Sequence, residues 1–294
     1  MSGSAVQTLV RRVIIAVLAL DAIAVAIYFA RSECSLTQSL AEIWRERGAN
    51  AYVQQVGFDR NEGELDLWHT PAGAMWMVRG DRILPLLVAE QYSDIYEPDG
   101  HRVRPGDIVL DCGANVGMFT RKALSRGAKL VVAIEPSPMT LKALQRNLEA
   151  EIRDGRVIIF PKGVWDRDGQ LDLSQDQINE AANSVVLDAP HPTKPKVRVP
   201  LTTIDHLVAE LKLPRVDFIK MDIEGAEKPA LKGGAETIKR FRPRMSLSSE
   251  HLKDDFTAIP ALVRSIEPDY SYKGCHCTAG WTLKALVMAF DPRS

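Results

Sequence analysis

Ile108-Val-Leu-Asp-Cys-Gly-Ala-Asn-Val-Gly117 is the stretch around which the rest of this 294-residue sequence is arranged. An apolar run ends at Asp111, and Gly113 and Gly117 follow before a helix-forming segment at residues 118–125. This order is typical of a buried parallel strand, a tight turn and the N-terminus of a helix. Glycine suits a backbone that takes a positive φ or lies against a ligand, and helix N-termini present free N–H groups. The stretch therefore predicts a ligand site where the strand ends.

The composition is that of a globular chain without strong net charge. Hydrophobic residues make up 46% of the sequence, charged residues 26%, and the net charge is -1. A chain of this length can bury one large core and carry additional segments. Because the chain lacks the basic surplus of nucleic-acid-binding proteins, we expect no nucleic-acid partner.

The N-terminus contains one long apolar segment, Val13 to Ala30. A helix that spans a bilayer needs about 20 apolar residues, so this run is at the short end. Asp21 in its middle adds a cost of about 3 kcal/mol. We predict an uncleaved, single-pass transmembrane anchor rather than a secretory signal, because Ala30-x-Ser32 is only a weak cleavage site. Basic residues on both sides of the run leave its orientation open.

An extension follows the anchor. Helical spacing predicts a helix over residues 36–56. Two strand-like runs, 64–68 and 75–78, flank the turn Thr70-Pro-Ala-Gly73 and predict a hairpin. Residues 82–93 are predicted to be helical.

Beyond residue 105, strands and helices alternate. Strands are predicted at 108–111, 130–134, 156–160, 216–221 and 245–249, and added strands at 170–174 and 197–201. Helices are predicted at 118–125, 138–151, 204–211, 229–241 and 259–266. A closing antiparallel hairpin is predicted at 270–273 and 283–290. Such alternation gives a mainly parallel sheet with right-handed crossovers, and ligands bind at the carboxyl ends of its strands. Acidic residues stand at such ends: Asp111, Glu135, Asp166 and Asp222.

Glu135 indicates the kind of ligand. It lies 135 − 111 = 24 residues after Asp111, where a carboxylate accepts the ribose hydroxyls of a nucleoside. This position alone does not separate a nicotinamide cofactor from S-adenosylmethionine. The spacing Gly113-x-x-x-Gly117 lacks the denser glycines that a pyrophosphate requires. A cofactor without phosphate, such as S-adenosylmethionine, is therefore favoured.

A second motif, Asp222-Ile-Glu-Gly-Ala-Glu227, follows a buried strand. We expect Asp222 to point into the cleft near the reacting centre. Glu224 and Glu227 either bind acceptor hydroxyls or help to hold a divalent ion such as Mg²⁺ through their oxygens. Acids are also favoured at the start of a helix, which is the alternative without a functional role. No metal ligand is assigned.

Three segments together resemble the FkbM family of S-adenosylmethionine-dependent methyltransferases: Asp111-Cys-Gly-Ala-Asn-Val-Gly117, Glu135-Pro136 and Asp217-Phe-Ile-Lys-Met-Asp-Ile-Glu-Gly-Ala-Glu227. The similarity covers about residues 92–290, and the acidic motif is its specific part. The resemblance implies an α/β, Rossmann-like class I methyltransferase whose mainly parallel seven-stranded sheet is flanked by helices. It also implies methyl transfer, usually to a hydroxyl oxygen.

The resemblance assigns cofactor contacts to the following residues: Asp111, Gly113, Asn115, Gly117, Glu135, Pro136, Gly163, Val164 and Asp222. The first four are expected beside methionine and ribose, and the Gly163–Val164 turn beside adenine. Val164-Trp165-Asp166 departs from the smaller residues that we expect there.

Methyl transfer is an in-line displacement at the sulfonium carbon, for which a protein supplies alignment and a dry site. An alcohol is a weak nucleophile, so a base or a metal must assist its oxygen. The candidates are His251, which we expect to act as the base, its neighbour Glu250, and Asp222.

The acceptor is expected to be a small molecule, a sugar or a lipid-linked compound near the membrane. Asn183 and Ser184 are predicted to contact it, together with Glu224 and Glu227. The catalytic domain is expected in the cytoplasm, where S-adenosylmethionine is made.

The sequence thus divides into four parts. They are a short tail at residues 1–12, the anchor at 13–30, a helix and hairpin extension at 31–104, and the methyltransferase domain at 105–294. Two alternatives stay open. One is an NAD(P)-dependent oxidoreductase, for which the dense glycines are missing. The other is a membrane-tethered S-adenosylmethionine-binding protein without catalysis, against which the full set of cofactor-facing residues argues.

Overall fold

The computed structural model describes residues 48–174, 196–273 and 287–293. All of them fall within one unit, which spans residues 45–274 and 283–294. The predicted anchor, Val13 to Ala30, lies outside the described residues. Within the described ranges, no helix is both long enough and apolar enough to cross a membrane.

The described strands form one seven-stranded sheet and two three-stranded sheets. In chain order they are β1 Gly57–Glu62, β2 Leu65–Thr70, β3 Gly73–Val78, β4 Ile108–Cys112, β5 Leu130–Ile134, β6 Val157–Phe160, β7 Gly163–Val164, β8 Gly169–Ser174, β9 Lys196–Thr202, β10 Phe218–Met221, β11 Arg244–Ser248, β12 Tyr270–Lys273 and β13 Val287–Pro292.

Helices cover the sheet and connect its strands. They are α1 Leu84–Tyr92, α2 Met118–Ser125, α3 Pro138–Asn147, α4 Glu149–Arg153, α5 Ile204–Glu210, α6 Glu227–Gly233, α7 Ala235–Phe241 and α8 Asp255–Ile266. Residues 48–53 are also helical, at the end of the helix predicted over residues 36–56.

The large sheet has the order β12-β13-β11-β10-β4-β5-β6. Strands β11, β10, β4, β5 and β6 are parallel, and β13 runs antiparallel to β11 and β12. This is the Rossmann-like, mainly parallel sheet that was predicted, with its closing hairpin. The strand order reverses between β4 and β10, so the crevice at their carboxyl ends is where such sheets bind ligands.

Strand β4 explains why both faces of this sheet are covered. All five of its residues are buried. Ile108 and Leu110 belong to one hydrophobic cluster, with Ile219 of β10. Val109 belongs to a second cluster, with Phe218. Because successive side chains of a strand point to opposite faces, one apolar run can build the core on both sides of the sheet.

The extension packs against the start of α2 and against α3. Strands β1, β2 and β3 form an antiparallel sheet. Met75 and Met77 share a hydrophobic cluster with Met118 of α2. Asn147, at the end of α3, accepts a hydrogen bond from Trp76 N at 2.7 Å and donates to Trp76 O at 2.9 Å. Its amide also donates to Val116 O at 2.8 Å. The hairpin is therefore fastened to the loop that precedes α2.

Some boundaries differ from the prediction. Strand β1 was missed, because five of its six residues are exposed and carry no apolar pattern. The helix expected over 229–241 is two helices that meet at Gly233 and Gly234. A Cβ on Gly233 would lie 2.0 Å from Trp165 O, so the break accommodates a close backbone contact. The predicted caps are confirmed: Ser137 Oγ accepts from Thr140 N, and the Thr203 hydroxyl accepts from His206 N.

Candidate active site

The turn after β4 touches the turn after β10. Gly113 has φ of +78°, and a Cβ added to it would lie 1.9 Å from Asp222 O. Asp222 N in turn donates to Cys112 O at 3.1 Å. Gly113 is thus required by the contact between the two turns, in addition to any ligand that it faces.

The buried side chain of Asp111 helps to hold the turn after β4 in place. It has no exposed surface. Its Oδ2 accepts a hydrogen bond of 2.6 Å from the Thr120 hydroxyl, and its Oδ1 lies 3.4 Å from Lys220 Nζ. Lys220 Nζ also donates to Gly113 O at 2.7 Å. Asp111 and Lys220 therefore form a buried ion pair that positions the turn. The predicted contact between Asp111 and a cofactor would have to be indirect in this conformation.

Gly117, the other glycine of the motif, begins α2 with φ of +92°. It is buried, and a Cβ there would lie 3.0 Å from Leu144 Cδ1 and 3.1 Å from Leu148 Cδ1. Because Gly117 has no side chain, α2 can begin close to α3.

The remaining predicted cofactor residues line one cavity that is partly open to solvent, which we call the donor cavity. Its predicted lining residues are Gly113, Asn115, Glu135, Pro136, Gly163, Val164 and Asp222. Apolar side chains of β8 and β9, Leu173, Val199 and Leu201, complete one wall. Beside β7, whose Gly163 and Val164 were predicted, β8 and β9 therefore belong to the site, which the sequence did not indicate.

Glu135 has both carboxylate oxygens engaged by backbone amides. Oε2 accepts from Asn115 N at 3.1 Å, and Oε1 accepts from Ser137 N at 2.8 Å. Burial raises the pKa of Glu135 to about 7, although the two backbone hydrogen bonds and the charge of Lys220 oppose this rise. Each oxygen keeps a second lone pair, so the carboxylate can still accept hydroxyl groups from a ligand.

A second cavity, also partly open to solvent, adjoins the first at Asp222; we call it the acceptor cavity. Its polar lining includes Glu90, Tyr96, Glu250 and His251. Its apolar lining comes from Ile83, Leu86, Leu87, Met118 and Phe119. Much of this cavity is thus built by α1 and the segments beside it.

The two cavities share four lining residues: Gly113, Asn115, Asp222 and Glu224. Asn115 and Glu224 both adopt left-handed backbone conformations, with φ of +49° and +55°. Such conformations are uncommon for residues other than glycine and cluster at functional sites. The junction of the cavities is therefore a specialised region of the chain.

Asp222 is held as a carboxylate at this junction. Tyr96 donates a hydrogen bond of 2.5 Å to Asp222 Oδ2. Burial raises the pKa of Asp222, but the charges of Lys220 and His251 and the Tyr96 hydrogen bond outweigh it, so the pKa lies below its ordinary value. Asp222 is consequently ionised at neutral pH.

His251 lies among three acidic side chains. Its Nδ1 is 3.1 Å from Glu227 Oε1, and its Nε2 is 3.5 Å from Asp222 Oδ1 and 3.6 Å from Glu224 Oε2. Burial lowers the pKa of His251, but the hydrogen bond and the charge of Glu227, with the other two carboxylates, raise it to about 10. An imidazole that keeps its proton at neutral pH cannot accept another, which argues against the predicted role of His251 as a base.

Two further carboxyl groups near the acceptor cavity have raised pKa values. Burial, with the charge of Asp222, raises the pKa of Glu90 to about 8. The same two causes raise the pKa of Glu224 to about 8. Glu250, predicted beside His251, lines the cavity as well. The acceptor cavity is thus rich in carboxyl groups.

Three residues of the site are not among those that the sequence predicts: Glu90, Tyr96 and Lys220. Lys220 could have been identified from the sequence, because a lysine inside the buried strand Phe218–Met221 requires a partner. Glu90 and Tyr96 lie far from the motifs in the chain and could not be identified in this way. Asp166, at a predicted strand end, is exposed and pairs with Arg167 at 3.4 Å. Asn183 and Ser184 lie outside the described residues.

The sheet order and the cavities at its carboxyl edge define a Rossmann-like protein with a nucleoside-type site. The "Methyltransferase FkbM domain" family matches residues 111–273, more than half of the chain. The chain belongs to the FkbM methyltransferase family.

Two curated proteins and one solved structure illustrate the similarity. "2-O-methyltransferase NoeI" of Sinorhizobium fredii is 27% identical over 157 residues, which are 47% of this chain and 62% of the relative. "Hexuronic acid methyltransferase AglP" of Haloferax volcanii is 30% identical over 171 residues, 56% of this chain and 62% of the relative. The chain therefore spans less than two thirds of either relative. The crystal structure of methyltransferase FkbM from Methylobacillus flagellatus has a TM-score of 0.48 and 19% identity, over 84% of this chain and 59% of that one.

Proposed function

We propose that this chain is an S-adenosylmethionine-dependent methyltransferase that methylates a hydroxyl oxygen. The observation that carries the proposal is the meeting of the donor and acceptor cavities at Asp222 and Glu224. Glu135 offers its carboxylate to the ribose hydroxyls of the donor. Membership in the FkbM family and the name of the relative "2-O-methyltransferase NoeI" support methyl transfer to oxygen.

In the proposed reaction, a lone pair of the acceptor oxygen attacks the methyl carbon of the donor. The carbon–sulfur bond breaks, and its electron pair stays on sulfur, which leaves S-adenosylhomocysteine. The oxygen gains the methyl group and loses its proton. The contribution of the protein is to align the two substrates across the junction and to exclude water.

We assign the acceptance of the proton to Glu90. Its carboxyl group lines the acceptor cavity, and a pKa of about 8 is close to the range in which a general base is most effective. Asp222 is a weaker base because its pKa is lowered and Tyr96 already donates to it. His251 is already protonated at neutral pH.

The lining of the acceptor cavity supports an amphipathic acceptor. The carboxyl groups of Glu90 and Glu250 can exchange hydrogen bonds with hydroxyl groups. Leu86 and Leu87 offer apolar contacts in the same cavity. An uncharged, hydroxylated group joined to an apolar one fits both, as in a glycolipid or a lipid-linked sugar. Asn183 and Ser184 stay predicted contacts of this acceptor.

The proposed location agrees with such an acceptor. The apolar run at residues 13–30 would anchor the chain in a membrane as a single span, with residues 105–294 in the cytoplasm beside the supply of S-adenosylmethionine. A C-terminal fusion to a reporter that is active only outside the cytoplasm tests this orientation. Reporter activity would contradict it.

Calorimetric titration of the full chain in detergent tests the choice of donor. We expect binding heat with S-adenosylmethionine and S-adenosylhomocysteine and none with NAD or NADP. The opposite pattern would support the oxidoreductase alternative. Binding of S-adenosylmethionine without methylation of any cell component would support the non-catalytic alternative.

Mass spectrometry of lipid and glycan extracts, from cells with and without the gene, identifies the acceptor as a species that gains one methyl group. With that species in hand, Glu90→Gln should lower the rate at least 100-fold, because a general base typically contributes 10²–10⁴ in rate. The exposed Glu236→Gln is the matched control, since Glu236 lies on α7, away from both cavities. Equal rates for the two variants would remove Glu90 from the mechanism.

A further inference from the structure

We propose that Asp222, Glu224 and His251 form a binding site for one divalent first-row transition-metal cation, of which Mn²⁺ is the probe. Each residue offers one ligand atom, and the three atoms lie within 4.8 Å of one another. The site is at the junction of the donor and acceptor cavities, and its use in catalysis rests on the proposed function.

Two distances within this trio are close to those between ligands of one ion. His251 Nε2 is 3.5 Å from Asp222 Oδ1 and 3.6 Å from Glu224 Oε2. Nitrogen and oxygen ligands lie about 2.1 Å from such ions, so two ligands at angles of about 90–110° are about 3.0–3.4 Å apart. The observed separations are long for N–H···O hydrogen bonds. Small inward shifts of these side chains, with release of the His251 Nε2 proton to solvent, would place all three atoms on a common ion.

The orientation of the imidazole is a second observation that points to a metal. His251 Nδ1 is engaged by Glu227 Oε1 at 3.1 Å, and Glu227 has no exposed surface. Glu227 is itself held by a 2.9 Å hydrogen bond from Ile223 N. A buried carboxylate on one nitrogen of a histidine is the usual support of a histidine whose other nitrogen binds a metal. Here it turns Nε2 toward Asp222 and Glu224.

A buried carboxyl oxygen without a partner lies in the same place and favours a cation. Glu227 Oε2 is buried and has no hydrogen-bond partner among the described residues. Glu90 and Glu250 line the adjoining cavity. Lys220, the lysine beside this cluster, is already bonded to Gly113 O and paired with Asp111. Carboxyl groups thus outnumber the basic side chains around this site.

The donor set indicates the class of metal. Two carboxylate oxygens and one imidazole nitrogen suit Mn²⁺, Fe²⁺, Co²⁺ or Zn²⁺, whereas an all-oxygen set would be typical of Mg²⁺ or Ca²⁺. Three protein ligands leave further coordination positions open, and the acceptor cavity adjoins the site. A hydroxyl oxygen bound at such a position would become more acidic.

The test is a titration of the full chain, purified in detergent after treatment with EDTA, with free Mn²⁺ followed by electron paramagnetic resonance. We expect one Mn²⁺ per chain, competed by Zn²⁺. Glu224→Gln and His251→Ala should each weaken Mn²⁺ binding at least tenfold. Glu236→Gln, which changes an exposed carboxylate on α7, should leave it unchanged.

Binding of S-adenosylhomocysteine by each variant, measured by calorimetry, shows whether the fold and the donor cavity are retained. Absence of a bound Mn²⁺ in a chain that binds S-adenosylhomocysteine would overturn the metal site and leave the proposed function intact. Equal Mn²⁺ affinity in wild type, Glu224→Gln and His251→Ala would overturn the assigned ligands. A chain that binds Mn²⁺ but neither donor nor product would contradict the proposed function alone.

Discussion

Tyr96 donates a hydrogen bond of 2.5 Å to Asp222 Oδ2, although the two residues are 126 positions apart in the chain. Tyr96 is 3% exposed, and Lys220 Nζ lies 5.3 Å from the centre of its ring. The family match begins at residue 111, so Tyr96 precedes it. The segment after α1 therefore belongs to the wall of the candidate active site.

Replacement of Tyr96 by Phe should remove this hydrogen bond and little else. A hydrogen bond to a buried charged group is worth about 2 kcal/mol, so we expect the free energy of unfolding to fall by about that amount. Urea denaturation measures it. Tyr272→Phe is the control, because Tyr272 is 38% exposed and should change stability by less than about 0.5 kcal/mol. Similar losses in both variants would show that Tyr96 contributes little through its hydroxyl.

Gly113→Ala should be more damaging than Gly155→Ala. Both glycines have positive φ, +78° and +71°, which costs an alanine about 1–2 kcal/mol. At Gly113 an added Cβ would also lie 1.9 Å from Asp222 O, whereas at Gly155 no atom of the described residues lies within 4 Å of it. We expect Gly113→Ala to lose at least about 3 kcal/mol of stability and most of its affinity for S-adenosylhomocysteine. Denaturant unfolding and calorimetry check both. Equal stability of the two variants would refute the close contact.

The affinity for S-adenosylhomocysteine should rise as the pH increases from 6 to 8. Burial raises the pKa of Glu135 from its ordinary 4.5 to about 7. Ribose hydroxyls donate to the ionised carboxylate, so binding favours loss of the proton. Calorimetry at several pH values measures this dependence, and Glu135→Gln should remove it. A slope that persists in Glu135→Gln would assign it to another group.

The same carboxyl group has an effect of opposite sign on stability. Because the folded-state pKa of Glu135 is raised, its contribution to stability is full below about pH 4.5 and is lost as the pH rises through about 7. Wild type should therefore lose more stability than Glu135→Gln between pH 5 and 8, as urea denaturation would measure. Parallel curves for the two proteins would contradict the raised pKa.

Lys220→Met should destabilise the chain strongly, because it leaves the fully buried Asp111 without its cation. Breaking a buried pair from one side costs about 3–5 kcal/mol. The double variant Asp111→Asn, Lys220→Met removes both charges and should recover part of that loss. Lys239→Met, at an exposed ion pair with Glu236, should cost less than about 1 kcal/mol. The measurement is the free energy of unfolding of wild type and the three variants. A double variant no more stable than Lys220→Met would count against a paired role.

Asn147→Ala should loosen the hairpin from α3. The Asn147 side chain makes three hydrogen bonds, to Trp76 N, Trp76 O and Val116 O. At about 1 kcal/mol each, their loss should cost about 3 kcal/mol. Gln145→Ala, on the exposed face of the same helix, should be nearly neutral. Faster amide exchange at Trp76 N in Asn147→Ala alone would localise the effect, and unchanged exchange would argue against it.

Much of the fold followed from local patterns. The strands β4, β5 and β10 are buried apolar runs, and each was predicted to within two residues of its bounds. The helix starts after Ser137 and Thr203 were predicted from cap residues that do accept the expected hydrogen bonds. Strand β1 could not be found, because its side chains are exposed and its pairing with β2 is a long-range property.

The residues of the donor cavity could also be predicted from local patterns. Its residues stand at the carboxyl ends of predicted strands, and a parallel sheet brings those ends together. The predicted positions that line it are Gly113, Asn115, Glu135, Pro136, Gly163, Val164 and Asp222. Asp111 and Gly117 belong to the same motif but are turned away from the cavity. Asp111 pairs with Lys220, and Gly117 packs against Leu144.

By itself, the sequence determined where a nucleoside-type ligand would lie, because glycine spacing and strand-end acids act within one strand–turn–helix. Only the tertiary structure decided what faces that ligand. It brought Glu90 and Tyr96 of the extension against Asp222, and Glu227 against His251. The pKa values of Glu90 and His251 depend on burial and on charges from distant parts of the chain, which no local pattern encodes.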